Sequence, residues 1–96
     1  MNRIETLKLL QAHKPYLARE FGVTALALFG SAARDVAGAT SDIDILITFD
    51  GPATSKRYFS VQFYLEDLLG RPVDLVTKKA LRPTLRSHIE REAIHV

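Results

Sequence analysis

The sequence ALALFGS occupies residues 25–31, and DIDILI follows at residues 42–47. The first stretch predicts a short buried strand that ends in a Gly-Ser turn, because an apolar run of this length is too short for an independent helix. In the second, side chains alternate along a predicted strand, so Asp42 and Asp44 share one face while Ile43 points to the other. Two like charges held side by side favour a divalent cation between them, and Mg²⁺ is the natural candidate.

Helical patterns precede these two stretches. Apolar residues at helical spacing predict a helix around residues 4–10 and a second helical piece, which has Pro15 in its first turn and ends at Gly22. Ser31 is predicted to cap a helical turn after the first strand, because its hydroxyl can accept from free backbone N–H groups. A loop is predicted at residues 38–41, where Ser41 is expected to be a turn or cap residue.

Further elements are predicted downstream of the second strand. Ser55 is expected to cap a helix from about residue 56 to residue 69, which Gly70 ends. Its predicted core-facing stripe consists of Phe59, Phe63, Leu65 and Leu69. A third short strand follows at residues 72–76. Pro83 opens a last helix. Its predicted apolar side includes Leu85, Ile89 and Ala93.

A carboxylate interrupts the third predicted strand, Val73-Asp74-Leu75-Val76. Burying an acid is costly unless it is paired or binds a cation, which makes Asp74 a candidate ligand. Three carboxylates can hold two magnesium ions, and such a pair clamps the attacking and leaving oxygens of an in-line phosphoryl displacement. Gly30 and Ser31 suit an anion, because glycine leaves the backbone open and serine supplies N–H and hydroxyl donors. Taken singly, these residues also fit ordinary turns and strand starts.

Composition limits the classes of protein that remain. The chain has 96 residues, of which 47% are hydrophobic and 25% are charged, so one folded domain spanning residues 1–96 is expected. No apolar run approaches the length of a membrane span, and no signal-peptide pattern opens the chain, so a cytoplasmic protein without a membrane partner is expected. The absence of cysteine excludes disulfides, thiolate catalysis and cysteine-bound zinc.

The last quarter of the chain is locally basic. Between residues 71 and 96, six lysine and arginine residues stand against three acidic residues. A solvated helix face explains such a pattern, and so does a surface for a triphosphate or an acidic partner. The sequence leaves both interpretations open.

The complete set of motifs resembles the DNA polymerase β-like nucleotidyltransferase superfamily. The resemblance rests on LFGSAAR at residues 28–34, SDIDIL at residues 41–46, and Asp74 in its Val-Asp-Leu-Val strand. Within the superfamily the chain is similar to the minimal nucleotidyltransferases, especially the MntA-type antitoxins that are paired with HEPN ribonuclease toxins. The resemblance covers nearly the whole chain and implies an α/β (α+β) fold, in which a small mixed β-sheet is flanked by helices.

The same resemblance implies roles for individual residues. Gly30 and Ser31 would hold the β and γ phosphates of a nucleotide, and Asp42 and Asp44 would bind both magnesium ions. Asp74 would bind the ion that activates the acceptor hydroxyl and would also be able to receive its proton.

Arg34 is a candidate for contact with phosphate, and an exposed helical arginine is an equally good interpretation. The antitoxin branch often has glycine after this arginine, whereas Asp35 follows it here. The loop conformation is therefore expected to differ from that of the branch.

The implied activity is transfer of AMP from ATP to a tyrosine hydroxyl of a HEPN toxin, with release of pyrophosphate, in an oligomeric complex of the two proteins. Larger members of the superfamily grip their acceptor with extra domains, so a chain this short is expected to use a protein partner that brings its own hydroxyl. Two alternatives remain: an antitoxin that masks the toxin sterically without catalysis, and a nucleotidyltransferase that acts on RNA ends or a small molecule. A nucleic acid is the less expected substrate.

Overall fold

A computed structural model describes residues 2–34 and 42–96 of the chain. Its elements are, in order, α1 (Arg3–Phe21), β1 (Val23–Phe29), α2 (Gly30–Ala33), β2 (Ile43–Phe49), α3 (Ser55–Leu69), β3 (Val73–Thr77), a 3-10 helix (Lys78–Ala80), α4 (Pro83–Glu92) and β4 (Ile94–His95). The loop predicted at residues 38–41, with Ser41, lies outside the described residues. None of the helices within the described ranges is long and apolar enough to cross a membrane.

The four strands form one mixed sheet in the order β3-β2-β1-β4. Strand β1 runs antiparallel to both β2 and β4, whereas β2 and β3 are parallel. Helix α3 supplies the crossover connection that a parallel pair requires. The predicted α/β architecture, a small mixed sheet flanked by helices, is confirmed.

Helices α1 and α3 cover one face of this sheet and contact each other as well as the strands. The buried core on this face comes from both helices and from alternating strand positions, which include Leu10, Leu17, Leu26, Leu28, Ile43, Ile45, Ile47, Val61, Leu65, Val73 and Leu75. In each strand, the side chains at the positions between these core residues point to the other face of the sheet. Asp44 and Asp74 therefore lie on the face that α1 and α3 leave free.

The two predicted N-terminal helical pieces are one continuous helix, α1, and Pro15 lies inside it. Asn2 caps the helix through a capping box, and Gly22 ends it in the left-handed conformation with φ of 71°. Proline removes one N–H donor from the helix, but its side chain here is exposed, and Leu10 and Leu17 are fully buried on either side of it. Packing of the whole amphipathic face therefore outweighs the interruption.

Two residues that were predicted as helix caps lie inside their helices. The N-cap of α3 is Thr54, whose hydroxyl accepts from the backbone N–H of Arg57 at 3.2 Å, and Ser55 is already helical. In α2, Gly30 is the first helical residue, and no side chain caps the helix. Ser31 therefore lies within the turn and not at its cap. Differences of one or two residues at helix ends are not resolved by sequence pattern.

The predicted core-facing stripe of α3 combined two faces of the helix. Leu65 and Leu69 are buried, but Phe59 is 50% exposed and Phe63 is 63% exposed. Residues 59 and 65 are separated by about 240° around a helix with 3.6 residues per turn, so the phenylalanines and leucines cannot share a face. Val61 is the residue that joins the two leucines in the core.

Side chains of α3 bind the free edge of β3. Gln62 Nε2 donates to the carbonyl of Val73 at 3.1 Å, and the Val73 N–H donates to Glu66 Oε2 at 3.0 Å. One turn earlier in the helix, the Tyr58 hydroxyl donates to the carbonyl of Leu75. Residues spaced by four thus satisfy backbone groups of β3 that have no neighbouring strand.

The C-terminal residues form an element that the sequence pattern did not predict. Strand β4 pairs with β1, and the Val96 N–H extends the contact by donating to the carbonyl of Leu26 at 3.0 Å. In the preceding helix, Ile89 and Ala93 are half-buried as expected of its apolar side, but Leu85 is 50% exposed. A strand of two residues is too short to leave a periodic pattern.

Leu65→Ala should lower the free energy of unfolding by about 2–5 kcal/mol, because it opens a cavity in a fully buried position. The same substitution at exposed Leu85 provides a matched control, and there we expect a change within about 0.5 kcal/mol. Denaturant unfolding followed by circular dichroism measures both values. Equal effects at the two positions would contradict the described packing of α3.

Candidate active site

Strand register brings three predicted site residues to one end of the sheet. Phe29, the last residue of β1, pairs with Asp44 of β2, so Gly30 follows directly beside that carboxylate. Asp44 in turn pairs with Asp74 of β3. Residues in register on neighbouring strands point to the same face. The Gly-Ser turn and two acids from separate strands therefore meet on the face opposite α1 and α3.

The Asp44 and Asp74 carboxyl groups are in direct contact. Burial raises the pKa of Asp44 above its usual value of 3.8, and the negative charge of Asp74 raises that pKa further. A side-chain hydrogen bond, in which protonated Asp44 donates to Asp74, acts in the same direction, whereas the positive charge of Arg34 lowers the pKa. The negative charge of Asp74 thus makes ionisation of Asp44 less favourable, and a cation between the two groups would oppose this effect.

Gly30 is required for the close approach of backbone to Asp44. Its φ is 68°, in the left-handed region that residues with a side chain rarely adopt. A Cβ atom at this position would lie 2.2 Å from Asp44 Oδ2. The carboxylate thus lies against the bare Cα of the turn, and no other residue type fits there without displacing it.

Helix α2 holds the turn in place. Ala32 and Ala33 are buried, which packs the single helical turn against β1 and β2. Arg3 of α1 adds a long-range contact, because its Nη1 donates to the carbonyl of Ala33 at 3.2 Å. Ser31 follows Gly30 at the start of this packed turn and is half-buried.

Asp42 lies just before β2 and is exposed. Its negative charge also raises the pKa of Asp44, so the two groups interact. Within residues 2–34 and 42–96, however, no three histidine or acidic side chains converge closely enough to form a metal-binding group. The structure therefore brings Asp44 and Asp74 together and leaves the third predicted ligand, Asp42, at the margin of the pair.

The Asp44–Asp74 pair fits the chemistry of a divalent cation. Mg²⁺ prefers carboxylate oxygens and is commonly held by one or two of them together with substrate phosphates. A cation between the two groups would reduce the repulsion between their negative charges, which contributes to the raised pKa of Asp44.

Arg34 occupies a position next to this pair but is engaged with α4. Its guanidinium forms an ion pair with Glu92, and His88 Nε2 lies 3.3 Å from the other carboxylate oxygen of Glu92. Arg34 is close enough to Asp44 to lower the pKa of that carboxyl. Sequence reasoning missed Glu92, and no local signal could have found it, because 58 residues separate it from Arg34.

Two surface concavities lie elsewhere on the molecule. One is lined by the far ends of β2 and β3, including Phe49 and Thr77, together with Lys78 and Lys79. Another lies between the end of α1 and the start of α3. Neither includes a predicted site residue. The candidate site is therefore defined by its carboxylates and by Gly30.

Comparison with known proteins identifies the family. The family model that describes the nucleotidyltransferase domain matches residues 10–96 of this chain. The protein adenylyltransferase MntA of Thermococcus cleftensis is 38% identical over 92 residues, which cover 96% of this chain and 93% of that protein. The chain therefore belongs to the nucleotidyltransferase domain family, and the predicted enzyme class is confirmed.

Solved structures agree with this assignment. One minimal nucleotidyltransferase structure superposes with a TM-score of 0.83 at 36% identity, covering 98% of this chain and 95% of that one. A second, of a tri-AMPylated Shewanella oneidensis HEPN toxin in complex with MNT antitoxin, superposes with a TM-score of 0.60 at 21% identity over 98% and 67% of the two chains. The second likeness shows the shared fold alone.

Gly30→Ala should lower stability by more than the cost of a left-handed alanine, because the added Cβ would also displace Asp44. Gly70 offers a matched control, because its φ is 66° but a Cβ there would meet nothing within 4 Å. We expect Gly70→Ala to cost about 1–2 kcal/mol of unfolding free energy. Gly30→Ala should cost more and should also abolish nucleotidyl transfer, since Asp44 must move. Equal losses of stability with activity retained in both variants would contradict the Gly30–Asp44 contact.

Asp44 should make the protein less stable as pH rises. Because its pKa in the folded protein is raised above 3.8, the folded state binds more protons than the unfolded chain over that window. Stability therefore falls as pH increases from about 3.8 through the raised pKa. Asp44→Asn should lack this fall, so its advantage over the wild type should grow across the window in metal-free buffer. Denaturant midpoints at a series of pH values test this, and a pH-independent difference would refute it.

Proposed function

We propose that the protein is an antitoxin that transfers AMP from ATP to a tyrosine hydroxyl of a HEPN-family toxin. The observation that carries the proposal is the contact between Asp44 and Asp74 beside the left-handed Gly30. This arrangement combines carboxylates that suit a divalent cation with the start of a helical turn, whose N–H groups suit phosphate, and metal-dependent nucleotidyl transfer requires both.

The relatives support the choice of nucleotide and acceptor. The Thermococcus cleftensis relative is named for protein adenylyl transfer, which uses ATP as donor and a protein as acceptor. The structural neighbour from Shewanella oneidensis places an MNT antitoxin in complex with a HEPN toxin that carries AMP groups. A HEPN toxin bound in an oligomeric complex in the cytoplasm is therefore the partner that we propose for this chain.

We assign Asp42, Asp44 and Asp74 as the residues that would hold up to two Mg²⁺ ions. When bound, such ions would neutralise charge on the triphosphate and favour ionisation of the acceptor hydroxyl. Gly30 and Ser31 would bind the β and γ phosphates through their N–H groups and the Ser31 hydroxyl. Arg34 would be available for phosphate contact after release from Glu92.

In the proposed reaction, the tyrosine oxygen of the partner attacks the α phosphorus of ATP. A bond forms between that oxygen and the phosphorus, while the bond from the phosphorus to the oxygen that bridges to the β phosphate breaks. Pyrophosphate leaves with the bridging oxygen, and Asp74 receives the proton of the hydroxyl. The residues of this chain thus orient the phosphates and accept the proton.

Incubation of the protein with ATP, Mg²⁺ and its neighbouring HEPN protein should produce AMP adducts on tyrosine, detectable by mass spectrometry of the intact partner and its peptides. Asp42→Asn combined with Asp44→Asn should lower the rate by a factor of about 10² or more, because the charges that hold the cations are removed. Asp50→Asn is the matched control, since Asp50 lies exposed just beyond the other end of β2.

The same variant separates the alternatives. If the double Asn variant still protects cells from the toxin, neutralisation is steric and the catalytic proposal is wrong. Absence of adducts on an intact HEPN partner would also contradict it. Binding to RNA that weakens steeply with increasing salt, together with transfer to RNA ends, would instead support a nucleic-acid acceptor.

A further inference from the structure

Helix α3 carries an aromatic pair on its outer surface. Phe59 and Phe63 are 50% and 63% exposed, and their rings stack on each other with centroids 6.4 Å apart and an interplanar angle of 27°. A spacing of four places both side chains on the same face of the helix. Exposed aromatic pairs of this kind are costly to leave in water and are typical of interaction surfaces.

A charge of opposite sign flanks each end of this pair. Lys56 lies three residues before Phe59, and Asp67 lies four residues after Phe63, so all four side chains form one stripe along α3. We call these four residues the α3 stripe. Neither Lys56 nor Asp67 forms an ion pair with any other residue in the part of the chain that the structure describes.

The order of the two charges opposes the dipole of their own helix. A lysine in the first turn meets the positive end of the macrodipole, and an aspartate in the last turn meets its negative end. Helix α3 has no acidic residue in its first turn and no basic residue in its last turn. The positions of Lys56 and Asp67 therefore weaken the isolated helix, and an external partner would reverse this effect.

The geometry points to a second copy of this chain as that partner, with the two α3 stripes packed antiparallel about a two-fold axis. An axis that passes between Phe59 and Phe63 places Lys56 of each copy opposite Asp67 of the other. The aromatic pairs meet at the centre, and each charge also faces the favourable end of the opposite helix dipole. The stripe is thus complementary to itself, which is the condition for an isologous contact.

This dimer goes beyond the proposed transfer activity and is compatible with it. Helix α3 covers the sheet face opposite Asp44 and Asp74, so pairing through the α3 stripe would leave both sites open. A single helix face is smaller than a standard interface of about 1,600 Å². We therefore expect a reversible dimer with a dissociation constant in the micromolar range.

Sedimentation equilibrium over a range of protein concentrations tests the proposal. The mass of the wild type should rise from 10.7 kDa toward twice that value as concentration increases. Phe59→Ser combined with Phe63→Ser should stay monomeric, whereas Leu85→Ser, which alters an exposed leucine of α4, should dimerise like the wild type. Circular dichroism checks that every variant keeps its helix content.

Exchange of the charges gives the sharpest test. Lys56→Glu alone places like charges opposite each other and should weaken dimerisation at least tenfold. Lys56→Glu combined with Asp67→Lys restores opposite charges and should recover the dimer.

The proposal is overturned if the wild type is monomeric throughout, or if the double exchange fails to recover the dimerisation that the single change removes. If the wild type is monomeric and the double Ser variant loses binding to the HEPN protein, the α3 stripe is instead the binding surface for the HEPN protein. AMP transfer is assayed separately and tests only the proposed activity.

Discussion

The repulsion between Asp44 and Asp74 is the constraint around which the site is organised. Parallel pairing of β2 with β3 places the two carboxylates in register, and this pairing is itself required by the apolar residues that alternate with them in the core. A shift of either strand by one residue would expose that core, so the two residues stay in register as long as the core is intact. The fold therefore holds a destabilising contact in place, as expected where function requires it.

The turn at Gly30 and the Arg34–Glu92 ion pair both lie beside the Asp44–Asp74 pair and affect it. Gly30 gives Asp44 a surface without a side chain, and α2 fixes that surface through buried alanines and a hydrogen bond from Arg3. Arg34 brings a positive charge that lowers the pKa of Asp44, but its guanidinium also forms an ion pair with Glu92 of α4. Position and charge at the site are thus determined by elements from both ends of the chain.

Local patterns in the sequence were sufficient for β1, β2 and β3, for the helix ends at Gly22 and Gly70, and for the acids that meet across β2 and β3. These patterns were insufficient where tertiary packing determines the course of a helix or the burial of a side chain. Pro15 predicted an interruption that burial of the α1 face overrides, and apolar character alone placed Phe59 in a core that it does not enter. The pairing of Arg34 with Glu92 joins residues 58 positions apart, and no periodicity reports such a contact. The binding and catalytic roles of the site residues stay predictions, and these residues are Gly30, Ser31, Arg34, Asp42, Asp44 and Asp74.

The side chains of α3 that bind the outer edge of β3 have a further consequence. Exposed strand edges invite pairing with strands of other chains, which leads to fibrils or to capture of extended peptides. Here Gln62 and Glu66 already form hydrogen bonds with the backbone groups of Val73 that an added strand would need. A sheet that is closed at this edge cannot grow by strand addition there, so the small fold is protected from one common route to aggregation at the very strand that presents Asp74.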